Sequence, residues 1–307
     1  MAFQLKVNEP VSQGVTRNVR RQLEKVIEYC GIRGNQHAVS VSLSDSVFEA
    51  RKCFKRVRAA LRLVREELGD DLYHEENFRF RDAARPLTAV RDAHVLVETV
   101  DKLKQLLPKT LDARVLVKIR EALLANQRKV TDGVLEENKA FATAKNAATS
   151  ALVRLPAWKL TRDGWAAIET GLRRVYRTGH RALALAVENP TVEDLHEWRK
   201  QSKYLWHQLQ LLETALPDQE KNLIDRTHKL ATLLGEDHDL AVLRAALAAD
   251  PLAFGGHRVL KELFVVIDRR RRELEREAFA LGRTIYKDPP KLFISRIEPS
   301  TACEAVE

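Results

Sequence analysis

Apolar residues recur every three or four positions along almost the whole chain. Between Val47 and Val64 they fall at Ala50, Phe54, Val57, Leu61 and Val64, steps of 4, 3, 4 and 3 that share one face of an α-helix. Runs of β-branched residues bounded by turn residues, the mark of strands, are few. Breakers cluster at Gly31 to Asn35, Gly69 to Asp71, Pro108, Pro156 to Gly164, Asn189-Pro190, Pro217-Asp218 and Asp250 to Gly256. They divide the chain into eight predicted helices, 11–30, 45–68, 75–106, 111–147, 161–188, 191–214, 219–248 and 256–282. Ser44 is the expected cap of the second helix, and Thr191 with Asp194 makes a capping-box pattern after Pro190. Pro86 should kink or split the third helix. Residues 286–307, with Pro289, Pro290 and Pro299, are expected to form a flexible tail.

The helical pattern repeats. Val47 to Val64 aligns with Leu195 to Leu212 at an offset of 148, with identical pairs Glu49/Glu197, Arg51/Arg199, Lys52/Lys200, Lys55/Lys203 and Leu61/Leu209. At an offset of 147, Leu87 to Leu96 matches Leu234 to Leu243 through Leu87/Leu234, Asp92/Asp239, Val95/Val242 and Leu96/Leu243. Arg17 and Arg20 fall opposite Arg174 and Arg177 at an offset of 157. Halves of about 140 residues are too long for solenoid repeats and suit a duplicated four-helix unit.

Composition narrows the class. Across 307 residues, 45% hydrophobic content supports a packed core, and no apolar run reaches the ~18 residues of a membrane span. With no hydrophobic signal core at the N-terminus, the expectation is a soluble, cytoplasmic protein without membrane contact. The three cysteines have neither disulfide density nor metal-ligand spacing. Lys and Arg number 52 against 43 Asp and Glu, a net charge of +9 that favours an anionic partner.

The excess is concentrated. Between Val47 and Arg65 stand seven cations, with Glu49 as the single acid, a surplus of +6. Arg51, Lys55, Arg58, Arg62 and Arg65 step by 4, 3, 4 and 3, one residue after the apolar stripe. One residue turns ~100° around a helix, so the cations flank the core face. Lys52 and Arg56 add to them. Neighbours at i±3 and i±4 are mostly cations too, so pairing within the helix cannot neutralise the stripe. The sixth predicted helix repeats it with His196, Arg199, Lys200 and Lys203. Arg17, Arg20 and Arg21 on the first helix, Arg174, Arg177 and Arg181 on the fifth, and Arg81, Arg85 and Arg91 on the third extend the pattern. Repeated core-flanking cations describe an anion site lined from both halves.

Arginine binds phosphate through a planar fork, and lysine acts as a point charge. A linear array suits a polymer with regularly spaced charges. Readers of single-stranded nucleic acid add aromatic platforms, and aromatics are 6% of this chain, with Trp206 alone inside a basic stripe. A polyanion without bases is therefore favoured.

At these residues the sequence resembles the conserved histidine α-helical domain family, CHAD. The family pattern of His, two residues, Arg, three residues, Lys, two residues, Arg stands here as Phe48, Arg51, Lys55, Arg58 and as His196, Arg199, Lys203, Trp206. A second pattern surrounds Arg91-Asp92 and His238-Asp239, and Leu172 to Leu183 looks like the family's fifth helix. The likeness covers residues 10–285. It implies an all-α fold of two pseudo-symmetric four-helix bundles, 10–150 and 155–285, around a basic central pore or groove. It also implies binding of inorganic polyphosphate, and association with polyphosphate granules, by a stand-alone domain. Phe48 in place of His and Trp206 in place of Arg depart from the family pattern.

Two other readings compete. One is a helical nucleic-acid-binding protein. The other is a metal-dependent phosphohydrolase built on His238-Asp239 with His196 or His228 and Asp268. Against it, Arg91 occupies the position equivalent to His238, and Arg is not a metal ligand. Asp92 and Asp239 read better as orienting partners for neighbouring cations. No phosphate-binding glycine loop, serine elbow or cofactor motif is present, and no catalytic residue is assigned.

Overall fold

The computed structural model describes residues 3–6, 8–31, 42–106, 113–137, 139–254 and 256–299. Among these it holds twelve α-helices and no strand. In chain order they are α1 (Val11–Gly31), α2 (Leu43–Leu63), α3 (Arg65–Leu68), α4 (Asp70–Ala84), α5 (Pro86–Leu103) and α6 (Ala113–Asp132). They continue as α7 (Ala140–Arg154), α8 (Glu169–Glu188), α9 (Val192–Leu211), α10 (Asn222–Ala249), α11 (His257–Ile285) and α12 (Pro290–Ile297).

Pro86 splits the third predicted helix. It sits at the first position of α5, where its missing N–H costs nothing. Gly69, at φ 78°, separates α3 from α4. A π turn, Gly133–Glu137, divides α6 from α7. The cap of α2 is Ser42, whose Oγ accepts the Asp45 amide at 3.1 Å, two residues before the expected Ser44. Thr191 caps α9 as the sequence implies, accepting the Asp194 amide at 3.0 Å. Much of the breaks expected at Gly31 to Asn35 and at Pro108 lies outside the described residues.

The duplication is visible in packing order. In the first half α1 packs on α2, α2 on α5 and α5 on α6. In the second, α8 packs on α9, α9 on α10 and α10 on α11. Four-helix units with the same sequence of neighbours therefore stand where the repeat places them. They meet through α2 against α8 and α9, and through α5 against α10. Gly171 is the tightest point of this junction: a Cβ there would lie 2.0 Å from the Leu63 carbonyl oxygen, so only glycine lets α8 rest on the end of α2. The core runs through both halves, with Phe54, Phe80, Tyr176 and Trp198 fully buried.

The expected flexible tail is corrected over its first part. Residues 290–297 form α12, which packs on α8 as α7 packs on α1. Phe293 is fully buried and stacks on Tyr176 at 3.7 Å. The Tyr176 hydroxyl donates to the Asp288 carbonyl at 2.9 Å, and Arg296 pairs with Asp288 at 2.9 Å. Pro289 and Pro290 start this helix, since proline suits a first turn. Residues 300–307 lie outside the described ones. Among the described residues, no helix is long and apolar enough to cross a membrane.

Candidate anion site where the two halves meet

The junction of α2 with α9 brings the two basic stripes together. Lys55, Arg51 and Arg199 lie close enough that each cation disfavours the others' charge. α5 adds Arg91 and Asp92, and α10 adds His238 and Asp239. Both amphipathic faces place the cations at the edge of the apolar contact. They are half-buried rather than solvated.

Burial, reinforced by Arg51, Arg199 and Arg91, pushes the Lys55 ammonium down to about 7. Lys203 is held well below the usual lysine range by burial and then by Arg199 and Lys55. Asp92 and Asp239 are the acids that oppose this charge, and burial raises Asp239 despite Arg199 and Lys203. Neither lysine ammonium makes a hydrogen bond or an ion pair with any described residue. Arg51 Nε, Arg199 Nε and His238 Nδ1 are buried without a hydrogen-bond partner. Donors thus outnumber acceptors, and positive charge outnumbers negative.

Other groups fix the guanidinium planes. Arg51 donates to the Thr88 hydroxyl and, at 3.4 Å, to the Ala84 carbonyl. Arg58 Nε donates to Asn77 Oδ1 at 3.0 Å. Arg62 lies over the Tyr204 ring at 4.0 Å and donates to the Arg58 carbonyl at 2.9 Å. Arg91 pairs with Glu98 at 3.0 Å and lies over Phe48, 4.9 Å from its centroid. Arg51, Lys55, Arg58, Arg81, Arg85 and Thr88 share the walls of a cleft of about 180 Å³ between α2, α4 and α5. The second half differs at its matching end, where Trp206 stacks on His228 at 4.2 Å.

Residues 31–248 match the CHAD domain family. The chain belongs to the CHAD family. Its fold is similar to the crystal structure of the CHAD domain from the plant Ricinus communis, with a TM-score of 0.60, 14% identity, and coverage of 94% of this chain and 95% of that one. No curated protein sequence matches.

Within this CHAD domain the predicted site residues divide into two sets. Arg51, Lys55, Arg58, Arg91, His196, Arg199, Lys203 and His238 gather at the junction, with Arg62, Arg81 and Arg85 beside them. The rest do not join them. Arg17 pairs with Glu9 at 2.6 Å, and with Arg20 it lines a separate surface hollow beside Trp158. Arg21 is half-buried on α1 with a buried, unpartnered guanidinium nitrogen. Arg174 pairs with Glu66, while Arg177 and Arg181 are exposed on α8. Lys52 and Lys200 are each taken by the glutamate three residues earlier, Glu49 and Glu197. α1 carries its cations away from the junction, because its inner face supplies core to α2. α8 does reach the junction, but there Arg174 is taken by Glu66 of α3, and Arg177 and Arg181 face solvent.

Thr88, Asn77, Tyr204 and Glu98, which aim the arginines, carry no sequence signal of their own. Thr88, Asn77 and Tyr204 become partners only when α5, α4 and α9 are folded against α2, whereas Glu98 reaches Arg91 within α5. The nominated metal set does not converge. Asp268 is held by Arg244 at 2.8 Å, and His228 lies roughly 16 Å along α10 from Asp239. His207 is buried on α9, and burial pushes it down to about 3.

Proposed function

We propose that this CHAD domain binds inorganic polyphosphate through the cations gathered on α2, α5, α9 and α10. One observation carries the reading: Lys55 and Lys203 are packed together among arginines, half-buried, with no acceptor for their ammonium protons. Such a cluster is unfavourable by itself, and an anionic chain relieves it by restoring charge balance and accepting the unused hydrogen bonds. Arg51, Arg58 and Arg199 supply guanidinium forks along the same line, so successive phosphoryl groups can be held from both halves. The line runs along the edge of α2, where Arg51 to Arg62 span roughly 17 Å. The reading includes binding without a catalytic step, in the cytoplasm and on polyphosphate granules.

The test is titration with long-chain polyphosphate across a salt series. Affinity should fall steeply with salt, and R51E/K55E/R58E should abolish binding while the helical signal remains. Unchanged retention of polyphosphate by that folded variant would sink the reading. The Trp206–His228 stack is the feature that favours nucleic acid. Tighter binding of an oligonucleotide than of polyphosphate of equal charge would select that alternative.

A further inference from the structure

A second concentration of positive charge lies outside the junction. α11 exposes Arg258, Lys261, Arg269, Arg272, Arg276 and Arg283. At about 100° per residue these six fall within an arc of roughly 80°, and they run for roughly 37 Å along the helix. None makes a hydrogen bond or ion pair with a described residue. The nearby acids are already engaged or turned aside. Glu273 is bound to Arg270 at 3.3 Å, Glu275 to Arg271 at 3.4 Å and Asp268 to Arg244 at 2.8 Å. Of the exposed acids, Glu262 borders the stripe, and Glu277 lies about a third of a turn from its centre.

The fold does not require this edge. α6 holds the matching place in the first half, and its exposed positions are mixed: Arg114, Lys118, Arg128 and Lys129 are interspersed with Glu121 and Asp132 and with the uncharged Val117 and Ala125. A row of like charges repels itself, so it is costly unless an anion lies along it; Glu275, already bound by Arg271, is the acid that also attracts Arg272. The stripe offers no aromatic ring or amide for reading a base; it offers phosphate donors in a single line. α11 packs directly on α10, and Arg271 is close enough to His238 to help hold its proton affinity down. The stripe and the central cluster are therefore separated by about the width of one helix, ~10 Å.

We infer that the outer edge of α11 takes a second segment of the same linear phosphate polymer, so that long chains are held at two places and short ones at one. This rests on the polyphosphate reading of the junction. A flexible chain leaving the half-buried cluster can bend around one helix onto a convex row of guanidiniums, and a stiff duplex cannot occupy both. The second contact then acts at high effective concentration and adds avidity for long chains.

The experiment compares the full-length protein with R269E/R272E/R276E, three exposed positions on α11, using tripolyphosphate and long-chain polyphosphate across a salt series. Tripolyphosphate affinity should stay within about twofold, because the linked contact that supplies avidity is beyond its reach. Long-chain affinity should fall by about tenfold or more, and its salt slope by about two, as contacts to an unstacked chain are lost. A folded variant with unchanged long-chain affinity and slope overturns the second site. So does a loss that is equal for both ligands, or one that is larger against duplex DNA than against polyphosphate. R199A/K203A separates the two readings: it should lose both ligands if the junction is the primary site. A wild-type protein that binds neither ligand ends the junction reading and this one together.

Discussion

The rings of His196 and His238 lie 4.7 Å apart at 47°, tying the first turn of α9 to the middle of α10 beside Arg199. Burial and then Arg199 hold both below the ordinary histidine value, His238 at about 4. Both rings are therefore neutral at pH 7 in the free protein. A bound polyanion reverses the local field and raises them, so binding should take up protons and tighten as pH falls from about 7 to 5. Titration calorimetry in buffers of different ionisation enthalpy measures this uptake, and H196A/H238A should reduce it. Equal uptake in that variant would assign the protons to the lysines.

Lys55 makes the free protein unusual in its response to alkali. The unfolded chain holds this proton up to the ordinary 10.5, and the folded protein only to about 7. Between those values the unfolded state binds more protons, so stability rises with pH. Lys203 acts in the same direction. Above about pH 9 the buried thiols oppose it, since burial raises Cys30 to about 12 and Cys53 to about 11 from an ordinary 9.0. Thermal unfolding should therefore move upward between pH 7 and 9, and the rise should flatten in protein saturated with polyphosphate. A midpoint that falls over this window in the free protein would contradict the packing of Lys55 among cations.

The same strain links stability to function. Lys55→Met removes a buried, unpartnered charge and should stabilise the free protein by about 1 kcal/mol, roughly 1.5 °C at this size. Polyphosphate affinity should drop in the same variant. Differential scanning calorimetry and ligand titration on one preparation read both quantities. A variant that loses stability would show that the ammonium has a partner in solution.

Phe293→Ala empties the space stacked against Tyr176 and should cost about 3–5 kcal/mol. Denaturant unfolding measures the loss. A cost under about 1 kcal/mol would mean that α12 adds little to the second half.

Gly171→Ala places a methyl group 2.0 Å from the Leu63 carbonyl, backbone against backbone. α8 must then move off α2. The expected result is a loss of several kcal/mol, at the upper end of single substitutions, read by chemical denaturation. Gly31→Ala, with nothing within 4 Å of its Cβ, is the matched control.

Much of the fold was legible because its signals are local. The stripe of Ala50, Phe54, Val57, Leu61 and Val64 marked α2, and all five are buried. The offset repeat announced the paired packing order of α1, α2, α5, α6 and α8, α9, α10, α11. The proline-rich stretch after Asp288 misled, because proline breaks helices inside but begins them well, and Phe293, Ile294 and Ile297 needed Tyr176 to be recognised as core. The cations on α11 also escaped notice. Counted along the chain they alternate with Glu273, Glu275 and Glu277, and only the helical wheel separates paired Arg270 and Arg271 from exposed Arg269, Arg272 and Arg276.

By itself, the sequence determined the all-α class, the duplication and the two basic stripes, since helical periodicity and charge spacing are properties of neighbouring residues. The tertiary structure alone decided which cations meet. Arg51, Lys55, Arg199 and Lys203 converge because α2 and α9 bury their apolar faces at the junction, and the flanking charges are carried in with them. Arg17 and Arg174 have the same spacing and end in ion pairs, because an acid lies within reach of each: Glu9 just before α1, and Glu66 on α3, against which α8 packs. Equal local patterns acquire different roles because burial and charge proximity depend on residues far apart in the chain.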